Sequence, residues 1–315
     1  MEWIRGTAAL ERRLTKPVLT IGNFDGLHVG HRAIMQTVVN RARDLSGEAV
    51  VYTFDPHPRK VLQPERAPRL LMTLDQKLEM LESLGVDVAI VEPFDRDFAA
   101  VSPDVFVRQY IHERIQPMEV YVGYDFHYGR DREGSMRLLT ETGPRLGFAV
   151  TIIPEVSING VDVNSTRIRS LLEEGDVAQA AKLLERPYSV RGAVVEGDRR
   201  GRTIGFPTAN LAPESEILPA AGVYAGHLRL IEGTRPVEPR YRAVTNVGRR
   251  PTFRDGQGLM AEAHLIDFEG DLYGRNLELS FEIRLRPEQK FDGVDALREQ
   301  IARDVIEARE RLEAS

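Results

Sequence analysis

Apolar residues follow two different patterns along this chain of 315 residues. In the first half they form short continuous runs rich in valine and isoleucine. Each run is followed by a stretch in which they recur every three or four positions. Residues 17–22, 48–54, 86–91, 118–122 and 148–153 predict strands. Residues 31–43, 73–85 and 102–115 predict helices. Thr73 is a cap and Gly85 a stop for the second of these, and Ser102-Pro103-Asp104 opens the third. A further helical segment falls between the last two strands. Continuously apolar strands alternating with helices predict a parallel sheet covered on both faces. Ligands of such sheets bind at the carboxyl ends of the strands.

Residues 166–184 read as two short helices joined at Gly175-Asp176. Arg186-Pro187 breaks the pattern, so the expected domains are residues 1–184 and 185–315. Beyond that point residues 189–195, 222–231, 240–247, 260–267 and 276–285 predict strands separated by Gly- and Pro-rich turns, which suits a small antiparallel barrel. A helix from about residue 292 closes the chain, with Val294, Leu297, Ile301, Val305, Ala308 and Leu312 forming one apolar stripe. The expected fold class is therefore α/β, a parallel-sheet domain followed by a small antiparallel β-barrel domain with a C-terminal helix.

Composition narrows the function classes. Hydrophobic residues make up 42% and charged residues 29% of the chain, enough apolar material for two cores. No apolar run is long enough to span a bilayer. Cysteine is absent, which excludes disulfides, thiolate metal sites and a cysteine nucleophile. Residues 1–5 lack the charged-then-apolar layout of an export signal, so the expectation is a cytoplasmic protein without a membrane partner. The net charge of −6 is spread over both halves and does not suit a nucleic-acid partner.

Two constellations carry chemistry. The first follows the first strand: Gly22-Asn23-Phe24-Asp25-Gly26-Leu27-His28-Val29-Gly30-His31 leads into a helix. Glycines let the backbone approach a ligand, and a helix start offers unpaired N–H groups to an anion. His28 and His31 share one side of a helical turn. There they can donate to a phosphate and stabilise charge on a phosphorus under attack. A metal half-site completed by Asp55 or His57 is the alternative, as is a pair of histidines with no chemical role. Asp125, in the Gly123–Gly129 loop after the fourth strand, is either part of a nucleotide site or an ordinary turn residue. Asn164-Ser165-Thr166-Arg167-Ile168-Arg169 places hydroxyls and guanidiniums at an expected helix start, which suits pyrophosphate.

The second constellation is Gly197-Asp198-Arg199-Arg200-Gly201-Arg202-Thr203-Ile204-Gly205-Phe206-Pro207-Thr208-Ala209-Asn210. Gly197, Gly201 and Gly205, with Arg202 among them, suit a loop around phosphates. Thr208 and Asn210 face one side of extended chain and offer neutral oxygen ligands suited to Mg²⁺. A Gly-rich hairpin with a polar edge is the competing reading. Glu262, between two alanines in a strand, is either solvated or a functional base. Asn246 and Phe253 flank a turn that could shape a flat aromatic pocket.

His28-Val29-Gly30-His31 resembles the His-x-Gly-His signature of the nucleotidyltransferase superfamily. Ser165-Thr166-x-Ile168-Arg169 stands where that superfamily has its second motif, with Asn164 at a position more often serine. Gly205-Phe206-Pro207-Thr208-Ala209-Asn210, Asn246-Val247-Gly248 and the Glu262 strand are similar to the riboflavin kinases and come in their order. The whole chain thus resembles the prokaryotic bifunctional riboflavin kinase/FMN adenylyltransferase (FAD synthetase) family. That resemblance implies a Rossmann-like α/β nucleotidyltransferase domain followed by a six-stranded barrel with a C-terminal helix, with riboflavin, FMN and ATP as substrates and Mg²⁺ as the ion. It implies Glu262 as base, His28 and His31 at the attacked phosphorus, and Gly22, Asn23, Phe24, Asp25, Gly30, Asp125, Ser165, Thr166 and Arg167 around the adenylyl-donating ATP. It assigns Asn246 and Phe253 to the flavin. The rivals are a riboflavin kinase whose first half only binds nucleotide, and a non-catalytic flavin-binding regulator. A class I aminoacyl-tRNA synthetase shares the histidine signature but not the barrel-like second half.

Overall fold

The computed structural model describes residues 1–158, 160–196, 201, 204–249 and 259–314. They pack as two compact units. One holds Met1–Arg69 and Leu74–Asn164; the other holds Leu70–Thr73 and the chain from Ser165 onward.

The first unit is a six-stranded sheet of β1 (Glu2–Arg5), β2 (Val18–Ile21), β3 (Ala49–Asp55), β4 (Val88–Pro93), β5 (Glu119–Gly123) and β6 (Ala149–Ile153) in the order β1-β4-β3-β2-β5-β6. Every pairing is parallel. The chain winds outward from β2 in both directions, so strand order reverses at β2 and β5. That makes the carboxyl ends of those two strands the expected crevice. Helix α1 (Val29–Asp44) packs on β2, β3 and β5, and α2 (Leu74–Ser83) precedes β4. Helix α3 (Phe106–Ile115) has the wide π-type winding, ending with Gln116 N–H donating to the Ile111 carbonyl at 3.0 Å. Its Phe106, Ile111 and Ile115 form one core with Leu19, Ile21, Val50, Tyr52, Val88 and Ile90. Burial on both faces explains the continuous apolar strands.

One buried carboxylate lies within this core. Glu92, at the end of β4, accepts from the Thr7 backbone N–H and hydroxyl, both at 2.9 Å, and from Tyr52 Oη at 2.8 Å. Three donors on one oxygen meet the need of a buried charge, while burial and the carboxylate push the Tyr52 hydroxyl pKa far up. The bond to Thr7 also fastens the turn after β1. The sequence reading did not anticipate β1: only Ile4 of its four residues is buried, so it carries no apolar run.

The second unit begins with α4 (Ser165–Glu174) and α5 (Val177–Leu184). Both pack with the barrel: Ala220 N–H donates to the Leu172 carbonyl and Arg284 Nη1 to the Glu174 carbonyl, each at 2.9 Å. The packing units therefore part ahead of residue 184. The barrel strands are β7 (Tyr188–Val195), β8 (Ala209–Pro213), β9 (Gly222–Glu232), β10 (Arg235–Arg249), β11 (Leu259–Leu265) and β12 (Asn276–Phe281). They are antiparallel in the order β10-β11-β8-β7-β12-β9, and β9 pairs back onto β10 to close the ring. β13 (Ile283–Arg286) pairs antiparallel with the start of β9. One strand was expected over 276–285; the chain instead breaks at Glu282, whose N–H bonds to the Ala225 carbonyl at 3.0 Å.

Register divides the barrel residues between two faces. Tyr188, Val190, Leu211, Tyr224, Ala261, Ala263, Leu279 and Phe281 are buried and fill the interior. Val223, Ala225 and Val244 sit on the outer face under Ala308 and Leu312 of α6 (Val294–Glu313). The apolar stripe expected along α6 is buried only at its far end, and Val294 is 61% exposed. Arg286 grips the buried Asp304 with Nε and Nη2 at 2.8–3.1 Å, which anchors the middle of the helix. Among the described residues no helix is long and apolar enough to cross a membrane.

Gly226 on β9 has no room for a side chain, because a Cβ there would lie 2.0 Å from the Ser280 carbonyl oxygen. Gly226→Ala is expected to cost about 1–3 kcal/mol through overpacking. Thermal unfolding measures it, and an unchanged midpoint would contradict this account of the barrel wall.

Candidate active sites

The turn after β2 builds the first site. Phe24, Gly26 and Leu27 take left-handed backbone angles, with φ of 49°, 81° and 39°. These turns bury Phe24 and Leu27, 3% and 0% exposed, so a tight polar loop is anchored from inside the core. Gly22 is required, because a Cβ there would meet the Phe24 ring at 2.8 Å. His28 caps α1: its Nδ1 accepts the His31 backbone N–H, at a long 3.4 Å. An accepting Nδ1 leaves the His28 proton on Nε2, the nitrogen available to donate outward. The two imidazoles stack with centroids 3.6 Å apart, and Phe24 meets His31 edge-on at 5.3 Å. Gly30 sits beneath the His28 ring, which a Cβ would approach to 3.3 Å. Asp25 is buried and Asn23 exposed.

Burial, with His28 and Lys77 nearby, drives the His31 pKa well below its ordinary 6.5. Its Nδ1 is sealed from solvent and makes no hydrogen bond. The site thus presents a neutral His31 imidazole rather than a fixed cation at the start of α1. The loop after β5, the strand paired with β2, joins the same end of the sheet: Gly123–Phe126 closes a turn with a 3.1 Å bond. Asp125 is exposed in that turn. Among the described residues no group of three or more His, Cys, Asp or Glu could hold a metal ion.

Ser165, Thr166 and Arg167 form the first turn of α4, anchored by buried Ile168, Leu171 and Leu172. The helix start expected from the sequence is therefore where the hydroxyls and guanidinium lie.

In the second unit, antiparallel pairing places Asn210 of β8 opposite Glu262 of β11, and Glu262 opposite Asn246 of β10. Three polar side chains on adjacent strands thus line up across one outer face, while their neighbours Ala209, Ala261 and Ala263 are buried. The alternation of the sheet decides this. Asn210 is 5% exposed. Gly205 takes φ of +88°, open only to glycine without strain. The Phe206 N–H bonds to the Gly201 carbonyl at 2.8 Å, and a Cβ on Gly201 would come within 3.3 Å of Thr208 Oγ1. His264 Nδ1 bonds to the Pro207 carbonyl at 2.8 Å. The Gly-rich segment is thereby pinned beside Thr208. Thr208 and Asn210 then border a cavity of about 510 Å³ that also includes Leu265, Phe268, Leu272 and Tyr273. Its size suits a small-molecule ligand. The hydroxyl of Thr208 and the amide oxygen of Asn210 are the hard, neutral donors that suit a Mg²⁺ keeping waters and phosphate oxygens as its other ligands. The expected Gly197, Arg202 and Phe253 lie outside the described residues.

Three features escaped the sequence reading. The loop of Phe268–Tyr273 in the cavity wall has no motif. Phe54, Phe94, Phe98 and Tyr110 form a cluster of edge-on and tilted rings with centroids 5.1–6.0 Å apart at the carboxyl end of the sheet; they come from three separate stretches of chain. Lys77 of α2 donates to the Asn23 carbonyl at 2.8 Å. It follows the apolar stripe of its helix, with Leu81 buried four residues on, and a lysine on that stripe is the signal the sequence did offer.

A family model described as FAD synthetase matches residues 10–167, and one described as riboflavin kinase matches residues 184–312. The bifunctional riboflavin kinase/FMN adenylyltransferase of Escherichia coli (strain K12) is 39% identical over 311 residues, covering 98% of this chain and 97% of that protein. Its counterpart in Bacillus subtilis (strain 168) is 36% identical over 304 residues, covering 95% and 93%. The crystal structure of a macrolide-efflux protein from Streptococcus pneumoniae superposes with a TM-score of 0.86 at 30% identity, covering 98% of this chain and 99% of the other.

Because the His31 pKa is lowered on folding, the unfolded chain binds a proton there that the folded chain refuses. Stability linked to His31 is complete above 6.5 and drains as pH falls below that value. Urea unfolding at about pH 7.5 and about pH 5 should show a steeper acid loss in wild type than in His31→Gln. Parallel losses would refute the assignment.

Proposed function

The chain belongs to the bifunctional riboflavin kinase/FMN adenylyltransferase family, and from that premise we propose how its residues divide the work. It is an ATP-using kinase and nucleotidyltransferase that phosphorylates riboflavin to FMN and adenylylates FMN to FAD. We keep the functional division at residues 184/185, close to the start of the riboflavin kinase match at residue 184.

In the kinase half, the carboxylate of Glu262 takes the proton from the 5′-hydroxyl of the ribityl chain. The freed oxygen bonds to the γ-phosphorus of ATP as the bond to the bridging oxygen breaks, giving FMN and ADP. Asn210 and Asn246 flank Glu262 and orient the hydroxyl and the phosphates. Thr208 and Asn210 would hold Mg²⁺, which when bound neutralises charge on the phosphates. Gly201 and Gly205 let backbone close over the phosphates, a task to which Gly197 and Arg202 contribute by the family pattern. The cavity walled by Phe268, Leu272 and Tyr273 has the size and apolar lining for the base of the nucleotide. Phe253 and Asn246 contact the flavin. The single observation that carries the kinase reading is the cross-strand row Asn210–Glu262–Asn246.

In the adenylyltransferase half, an oxygen of the FMN phosphate attacks the α-phosphorus of ATP, and pyrophosphate leaves. Phosphate is already ionised near neutral pH, so no general base is needed; hydrogen-bond donors at the developing charge are. His28 and His31 donate there. Gly22, Asn23, Phe24, Asp25, Gly30 and Asp125 shape the nucleotide pocket, and Ser165, Thr166 and Arg167 hold the departing pyrophosphate. The aromatic rings of Phe54, Phe94, Phe98 and Tyr110 offer the flavin ring a stacking surface. The use of ATP in both steps and the bacterial origin of the relatives support a cytoplasmic setting.

Glu262→Gln is expected to lower FMN formation from riboflavin about 100-fold or more while FAD formation from supplied FMN continues. His28→Ala with His31→Ala should do the reverse, and FMN should accumulate. Chromatography of products from riboflavin plus ATP, and from FMN plus ATP, measures both. Loss of both reactions in a folded variant of either kind would overturn the division of labour.

A further inference from the structure

Lys77 stands apart from every motif assigned above. It falls on the apolar stripe of α2, three residues after Leu74 and four before the buried Leu81, where the helical repeat calls for an apolar residue. Its ammonium donates at 2.8 Å to the Asn23 carbonyl, and Thr53 Oγ1, from β3, donates to the same oxygen at 3.3 Å. One carbonyl of the loop that follows β2 is therefore held from two separate elements. Burial lowers the Lys77 pKa, and Asp25 and Asp55 oppose that shift, so two carboxylates favour the charged form of this lysine. A half-buried lysine whose ammonium bonds to a backbone carbonyl, within the influence of two carboxylates, serves a purpose that a leucine could not.

We propose that Lys77 is a positioning residue for the adenylyltransferase reaction, clamping the Asn23 carbonyl so that the loop bearing Asp25 and the stacked His28–His31 pair meet the incoming phosphates in one fixed arrangement. The inference rests on the reading of His28 and His31 given above. The loop has three departures into left-handed backbone, at Phe24, Gly26 and Leu27, and Asn23 itself is exposed. Its outer edge is tied at the Asn23 carbonyl, its inner edge by the burial of Phe24 and Leu27. The clamp also carries a charge. The positive group of Lys77 adds to burial and to His28 in disfavouring a proton on His31. The groups that bear on this charge are Asp25 in the loop, Asp55 at the end of β3, and the two histidines of α1.

The test uses the full chain and both assays. Lys77→Met should reduce FAD formation from FMN and ATP about 10- to 100-fold, the worth of a charged hydrogen bond. Riboflavin phosphorylation should stay within about twofold. The acid limb of the pH–rate profile for FAD formation should move to higher pH, because His31 loses a cationic neighbour. Lys77→Arg should keep that limb in place and restore part of the rate. Thr53→Val removes the uncharged half of the clamp; it should slow FAD formation modestly and leave the limb unmoved. Far-UV circular dichroism melts of each variant exclude unfolding as the cause. A Lys77→Met enzyme with wild-type rate overturns the proposal. So does a loss shared equally by Lys77→Arg with the limb unmoved, which would make Lys77 mere scaffold. If wild type itself forms no FAD, the underlying reading of the site fails, and this separates the two failures.

Discussion

The turn that joins β2 to α1 is the constraint on which the first half depends. Non-glycine residues in left-handed backbone cost about 1 kcal/mol or more each, and this turn uses two of them, Phe24 and Leu27. Burying those two side chains contributes about 1.5–3 kcal/mol apiece. The strain and the burial therefore come from the same residues. The core holds the turn in a shape it would not take alone, and the polar atoms between the anchors are left facing outward at the start of a helix. Stacked imidazoles, a capped helix and a clamped carbonyl all follow from that one folded-back segment.

The second half reaches a comparable result by another route. Its polar row is set by strand register rather than by a strained turn. Once β8, β10 and β11 pair in this register, Asn210, Glu262 and Asn246 must share a face, and a slip of one residue would turn all three into the packed interior. The alanines beside Glu262 carry part of that specificity. Ala261 and Ala263 fit the narrow interior, so the strand has a small-residue side and a functional side, with no position at which the two could be exchanged.

Much of this was legible in the sequence, and for identifiable reasons. The buried parallel strands announce themselves because both faces need apolar residues, and the motifs at 22–31 and 205–210 are legible because glycine and proline punctuate them. Strand β1 was invisible, since three of its four residues face solvent. Strand β8 was read only as extended chain, because turn residues crowd it. Arg286 and Asp304 explain why α6 departs from its expected stripe: the helix is held at its middle by a buried ion pair, and its first turns need no apolar contact. The aromatic cluster gathers residues distant along the chain, which no periodicity marks, and the Phe268–Tyr273 loop carries no motif. Lys77 was available as an anomaly in the helical repeat, but a single charge on an apolar stripe does not say which loop it will meet.

A ring of strands closed upon itself and filled to its axis has no hollow to offer a substrate. Every reacting group of the second half must therefore stand on the outside of its own scaffold, roofed by connecting segments such as Gly205–Pro207 and Phe268–Tyr273. Those coverings can lengthen, shorten or change composition without disturbing a single stave. Selectivity among flavins and among nucleotides is thus free to drift between species, while the carboxylate and its two amide neighbours stay where the weave has put them.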